Sequence, residues 1–264
     1  MSMVNKMSKK NPARDHLLKA LEAGIRLDGR GPEQFREVEV HYGVSNTAEG
    51  SALVKIGDTV VIAGVKLSVE TPFPDTPEEG IIMVNAELLP LSSPRFEPGP
   101  PGIEAIELAR IVDRGLRESR ALDLRALCIK KGEKVWAVSL DVCTINDAGN
   151  LVDVAGLAAI AALQDAVFPE YDGVEVNYKE KTGKKLPLSK TPIPITVLKI
   201  GDYFLADPLE EELASYDARL TVTTTADGTI CSLQKGGDAA LTVKDIGKMI
   251  DISMVQAKIL RSKL

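Results

Sequence analysis

Arg110, Arg114 and Arg117 stand within two helical turns of one another in the run Ile103 to Arg120. At about 100° per residue they gather on one side of a helix. Leu108, Ile111, Val112, Gly115 and Ser119 fall on the opposite stripe, the apolar face such a helix buries. A guanidinium offers a planar fork of donors that fits a phosphate, so three in a row could hold successive phosphates of an extended strand. The same spacing also permits ordinary i,i+4 pairs, Asp113 with Arg117 and Arg114 with Glu118, each contributing about 0.2–0.5 kcal/mol. Spacing alone favours that plainer, solvated face.

Two further groups bear chemistry. Asp207-Pro208-Leu209-Glu210-Glu211-Glu212 sets four carboxylates in six residues, which could hold a divalent ion. The simpler expectation is a solvated turn with acids biased to a helix N-terminus. The turn Asn146-Asp147-Ala148-Gly149-Asn150 leads into a second helical run, and helix starts attract phosphate. Here Leu151 and Val152 supply no donor side chain, and Asp147 and Asp153 repel an anion, so a plain turn and N-cap is expected. The chain carries no G-x-x-x-x-G-K-[ST] loop, no G-x-G-x-x-G, no G-x-S-x-G elbow and no H-E-x-x-H. With only His16 and His41, no histidine-rich metal site is expected. Cys128, Cys143 and Cys231 have no ligand spacing and read as buried free thiols of a reducing cytoplasm.

The elements that must position these groups follow from pattern. Asp15 to Ala23 reads as a short helix closed by Gly24, after a frayed polar start at 1–14. Ser51–Ile56 and Thr59–Val69 read as strands joined by the Gly57-Asp58 turn, with another strand at Ile81–Leu89. A proline-rich loop, 90–102, precedes the arginine helix. Leu127–Ile129 and Lys134–Ile145 read as strands, and Leu151–Phe168 as a buried helix. Strands follow at Ile193–Ile200, Tyr203–Ala206, Leu220–Thr225 and Thr229–Gln234, the last two across Asp227-Gly228 as a two-residue type I′ turn. Thr242–Leu264 reads as a final amphipathic helix. Leu53-Val-Lys-Ile-Gly-Asp58 recurs as Val197-Leu-Lys-Ile-Gly-Asp202, which suggests two related β-rich halves backed by helices. The expected organisation is an N-terminal helix and loop at 1–34, a first half at 35–170, a lysine-rich linker at 171–192 and a second half at 193–264.

With 264 residues, a net charge of −6 and 44% hydrophobic residues, the chain needs no disulfide or metal to fold. The acidic balance excludes a broadly basic nucleic-acid binder but leaves room for a local basic track. No run is long and apolar enough to cross a bilayer, and the start has no signal-peptide pattern. No membrane role and no cofactor are expected.

Several segments together resemble the RNase PH family. They are Arg26-Leu-Asp-Gly-Arg30, the strands around Gly57-Asp58, Phe96-Glu-Pro-Gly-Pro-Pro-Gly102, Ala105 to Ser119 and Asp207 to Glu212. The likeness spans about residues 20–260 and points to the non-catalytic RNase PH-like subunits of archaeal exosome rings. It implies an α+β fold, a duplicated two-layer β-α module of the ribosomal protein S5 domain 2-like type, with the halves packed together. Family chemistry is phosphorolysis of RNA from the 3′ end. Catalytic members hold phosphate with a Gly-Gly-Thr/Ser-Arg turn; the matching turn here, Ala148 to Val152, has neither hydroxyl nor arginine. Their acidic run is of the Val-Asp-x-x-x-Glu-(Glu/Asp) type, from which Asp207-Pro208 departs. The resemblance therefore implies no catalytic residue, no metal and no cofactor. It implies a hexameric ring of three such chains alternating with three catalytic RNase PH-like subunits, RNA-binding cap subunits, and single-stranded RNA met by Arg110, Arg114 and Arg117. The alternatives are a self-sufficient phosphate-dependent 3′-to-5′ exoribonuclease, with its site on Asp207 and Glu210 to Glu212, and a scaffold without RNA contact.

Overall fold

The computed structural model describes residues 12–264, so most of the polar start expected at 1–14 lies outside the described residues. Helix α1 (Pro12–Glu22) buries Leu17 and Leu21, and its turn away passes through Gly24 at φ 76°. Strands β1 (Val38–Tyr42), β2 (Gly50–Ile56), β3 (Thr59–Glu70), β6 (Lys134–Asn146) and β4 (Ile81–Glu87) lie in that spatial order, with β5 (Cys128–Lys130) also on β6. All pair antiparallel except β4 with β6. β2 and β3 alternate buried and half-buried positions, the pattern of a sheet with one packed face. Helix α2 (Ile103–Ser119) lies against β4.

A second sheet has the order β10 (Tyr203–Ala206), β9 (Ile193–Ile200), β11 (Ala218–Thr224) and β12 (Ile230–Gly236), all antiparallel. Helix α5 (Val243–Arg261) packs on it, capped by Thr242 and Asp245. Helix α3 (Leu151–Asp165) touches strands of both sheets and is buried from Asp153 to Leu163, which explains why it is apolar all round. Its residues belong to one hydrophobic core shared by both halves. A smaller cluster joins Leu17 and Leu21 of α1 to Leu198, Ile200 and Leu205.

The repeated Gly-Asp turns are real. Ile56 pairs with Thr59 and Ile200 with Tyr203, and Gly57 and Gly201 supply the positive φ (57° and 60°) a two-residue hairpin demands. The strand order around them differs: β3, the second strand, adjoins β6, whereas β9, the first, adjoins β11.

Four expectations need correction. The helix from Leu151 ends at Asp165, and Val167 to Tyr171 forms strand β7. The stretch 171–192, expected as a linker, is not all coil: it contains strand β8 (Val176–Lys185), which pairs antiparallel with β7 and is almost wholly exposed. A polar strand with no buried face carries no period-two signal, so composition alone suggests coil. The loop at Asp227-Gly228 is longer than two residues: Thr225 N–H donates to Thr229, Gly228 N–H donates to Thr225, and Gly228 takes φ 83°. That is a turn with a glycine bulge. The three cysteines are free, but only half-buried rather than buried.

Candidate nucleic-acid interface and the carboxylate cluster behind it

Helix α2 presents Arg110, Arg114 and Arg117 together on its exposed side. Ala105, Leu108, Ile111, Val112 and Leu116 are buried beneath them, as the apolar stripe requires. The three arginines differ in what they hold. Arg117 Nε donates to both Asp113 oxygens at 2.8 and 2.9 Å, and its Nη2 donates to the Ile82 carbonyl of β4. The guanidiniums of Arg110 and Arg114 make no hydrogen bond or ion pair with any described residue. They line a groove of about 450 Å³ between α2 and β12, together with Ile106, Glu107 and Leu233. Ile103, 86% exposed, and Ile106, 48% exposed, stand beside them as uncovered apolar surface.

The acidic run behaves otherwise than expected. Asp207 and Glu212 are fully buried, while Glu210 and Glu211 remain exposed. The Asp207 carboxylate accepts from Arg30 Nη1 at 2.7 Å, from Arg36 N, Nε and Nη2 at 2.9, 2.8 and 2.7 Å, and from Asn150 Nδ2 at 2.8 Å. Burial pushes its pKa up, and the Arg36 hydrogen bond and charge more than offset that, so it stays below the ordinary value. Asp207 also takes φ 48°, an uncommon value that Asp and Asn tolerate best. Arg26, 1% exposed, donates to both Glu212 oxygens and to the Ala206 and Asp207 carbonyls at 2.8 Å. Asp207 and Glu212 clamp the N-terminal loop to the second half; the expected solvated acids at a helix N-terminus are Glu210 and Glu211 alone, exposed in the first turn of the short helix Glu210–Leu213. Among the described residues no group of three or more His, Cys, Asp or Glu could hold a metal ion.

The turn before α3 is wired into the same cluster. Arg36 donates to the carbonyls of Ala148 and Gly149, and Thr59 Oγ1 donates to Gly149 at 2.7 Å. Gly149 has φ 91°, and a Cβ there would lie 2.4 Å from the Pro208 carbonyl, so only glycine fits. Asn150 starts the helix with its amide turned onto Asp207 instead of toward solvent. Asp147 pairs with Arg95 at 2.8 Å. Asp153, expected as a repelling charge, is fully buried; burial raises its pKa to about 7, partly offset by the Thr196 hydrogen bond. Leu151 and Val152 line a 240 Å³ cavity beside Arg95 and Arg219 and carry no donor toward it.

Sequence reasoning missed Arg26, Arg30 and Arg36. Arg26 and Arg30 enter the sequence reading only as part of a segment that carries the family resemblance, and nothing in the residues between them and the acidic run points to their pairing.

Known proteins resemble this chain in sequence and in fold. A family model described as the 3′ exoribonuclease family, domain 1, matches residues 34–169, and its domain 2 matches residues 190–256. The exosome complex component Rrp42 of Archaeoglobus fulgidus is 47% identical over 251 residues, covering 95% of each chain. Rrp42 of Thermococcus onnurineus is 45% identical over 260 residues, covering 95% of this chain and 93% of the other. A chain from the Archaeoglobus fulgidus exosome with RNA bound to the active site superposes with a TM-score of 0.89 at 46% identity, covering 96% and 97% of the two chains. One from an archaeal exosome core gives 0.85 at 43% identity, covering 96% of each. With both domain models matched in order across an α+β fold of two packed halves, the chain belongs to the 3′ exoribonuclease, or RNase PH, family as an Rrp42-like member.

Proposed function

We propose that this chain is the non-catalytic RNase PH-type subunit of an exosome, a complex that degrades RNA phosphorolytically from the 3′ end. Three copies alternate with three catalytic RNase PH-like subunits in a hexameric ring that carries RNA-binding cap subunits. The halves at 35–170 and 193–264 act as one body in that ring. The observation that carries the reading is the turn 148–152. Its carbonyls and the Asn150 amide are consumed internally by Arg36, Thr59 and Asp207, and Leu151 and Val152 offer no side-chain donor to a phosphate. Meanwhile α2 keeps uncommitted guanidiniums at the surface beside exposed isoleucines, the composition of a surface that meets both a partner subunit and RNA. The overall charge of −6 is compatible, because RNA meets a local track. No helix among the described residues is long and apolar enough to cross a membrane, and three free thiols suit the cytoplasm.

The test has two arms. The pure chain, given RNA, phosphate and Mg²⁺, releases no nucleoside diphosphate. Mixed with a catalytic RNase PH-like partner, it forms an assembly of six family subunits by light scattering. Robust phosphorolysis by the chain alone establishes the self-sufficient enzyme instead. A chain that stays monomeric with the partner removes the ring.

A further inference from the structure

We infer that the arginines of α2 divide into two roles: Arg110 and Arg114 meet RNA phosphates, while Arg117 is a positioning residue that fixes the helix on the edge of the first sheet. The inference rests on the RNA-contact reading proposed above. β4 ends its sheet, so one long side of that strand has no strand partner. Such an edge leaves carbonyls in need of donors. Arg117 Nη2 donates to one of them, at Ile82. Its Nε donates to both oxygens of Asp113, one turn earlier on the same helix. The carboxylate fixes the guanidinium plane, and its charge cancels the charge a phosphate would seek.

α2 is also fastened to the second half, at Glu107 toward its N-terminal end and at Gly115 close to Arg117. Glu107 pairs with Arg219 of β11 at 2.5 Å, and Gly115 lies so near Thr223 that a Cβ would come within 3.1 Å of its methyl. Arg110 and Arg114 therefore lie between two fasteners, one to each sheet, with their own guanidiniums uncommitted. A slip of the helix by one residue would move each by about 1.5 Å along the axis and turn it by about 100°. Arg117 adds to the buried stripe in holding that register, and so acts on RNA through Arg110 and Arg114.

The experiment uses the ring reconstituted with a catalytic partner, single-stranded oligoadenylate as the probe, and two readouts. One is the slope of log K against log salt; the other is amide hydrogen exchange in α2 and β4. Arg110→Ala and Arg114→Ala should each flatten the slope by roughly 0.7, the value for one phosphate on a single strand, and leave exchange unchanged. Arg117→Ala should leave the slope as it is, speed exchange at the C-terminal end of α2 and in β4, and weaken binding at every salt concentration. Arg117→Lys keeps the charge but not the fork, and should also speed exchange. If Arg117→Ala flattens the slope by about 0.7, Arg117 is a phosphate contact; the inference fails and the RNA reading stands. If it changes neither readout, Arg117 is an idle surface charge and the inference fails equally. If Arg110→Ala and Arg114→Ala leave the slope untouched, the RNA-contact reading itself is lost.

Discussion

Asp153 sits where no water reaches it, with one carboxylate oxygen accepting from Thr196 N at 3.1 Å and the other without a hydrogen-bond partner. The Asn150 side-chain oxygen is likewise buried and unpartnered. A proton on Asp153 lets it donate to Asn150, which removes both deficits at once. Burial raises the pKa to about 7 from an ordinary 3.8, so between those values the folded chain keeps a proton that the unfolded chain has released. Stability from this group is full below the lower value and falls as pH rises toward the upper one. Asp153→Asn should flatten the decline, so the urea midpoints of the variant at pH 4.5 and 7.5 should lie closer together than the parent's. An equal spread in both proteins would show that Asp153 is not the group responsible. Arg26 makes a complementary case. Its partner Glu212 is 0% exposed, so Arg26→Ala leaves a buried carboxylate unpaired and should cost about 3–5 kcal/mol by denaturant titration at neutral pH. A loss within about 0.5 kcal/mol would place the pair among ordinary surface contacts.

Helix α3 shows how an element can be legible and its fit invisible. Replacing a mid-helix glycine by alanine usually stabilises by about 1 kcal/mol. At Gly156 the new Cβ would lie 2.2 Å from Pro194 Cγ of β9, so Gly156→Ala should destabilise, by about 1–3 kcal/mol in thermal unfolding. The helices, hairpins and apolar stripes were readable because each carries its own period. The strand edges blurred where polar β8 offers none, and α3 ran three residues long because Ala166, Val167 and Phe168 are apolar in either conformation. The arginine face of α2 was readable for the same reason as its core stripe. Its division was not, because the Ile82 carbonyl that engages Arg117 lies on a strand 35 residues away. The carboxylate cluster was misread for a similar cause: its partners Arg26, Arg30 and Arg36 lie more than 170 residues from the acids, and local composition cannot tell a solvated acid from a clamped one.

At the scale of the whole molecule, the exposed isoleucines make assembly testable apart from folding. Ile103→Asp with Ile106→Asp removes apolar surface that the other described residues leave 86% and 48% exposed. The double variant should melt within about 0.5 kcal/mol of the parent, as exposed changes do, and yet fail to form the six-subunit assembly in light scattering. Normal assembly would move the partner interface elsewhere. The N-terminal segment has a consequence in time. Leu17 and Leu21 have their core partners at Leu198, Ile200 and Leu205, and Arg26 has its partner at Glu212. A ribosome making roughly 5–20 residues per second needs about 10–40 s to supply those partners after Arg26 has emerged. Helix α1, made before either sheet, is therefore among the last elements to dock, and its apolar face waits uncovered throughout translation of the first sheet. Nascent chains arrested before residue 213 should leave this helix open to protease while the first sheet is already protected.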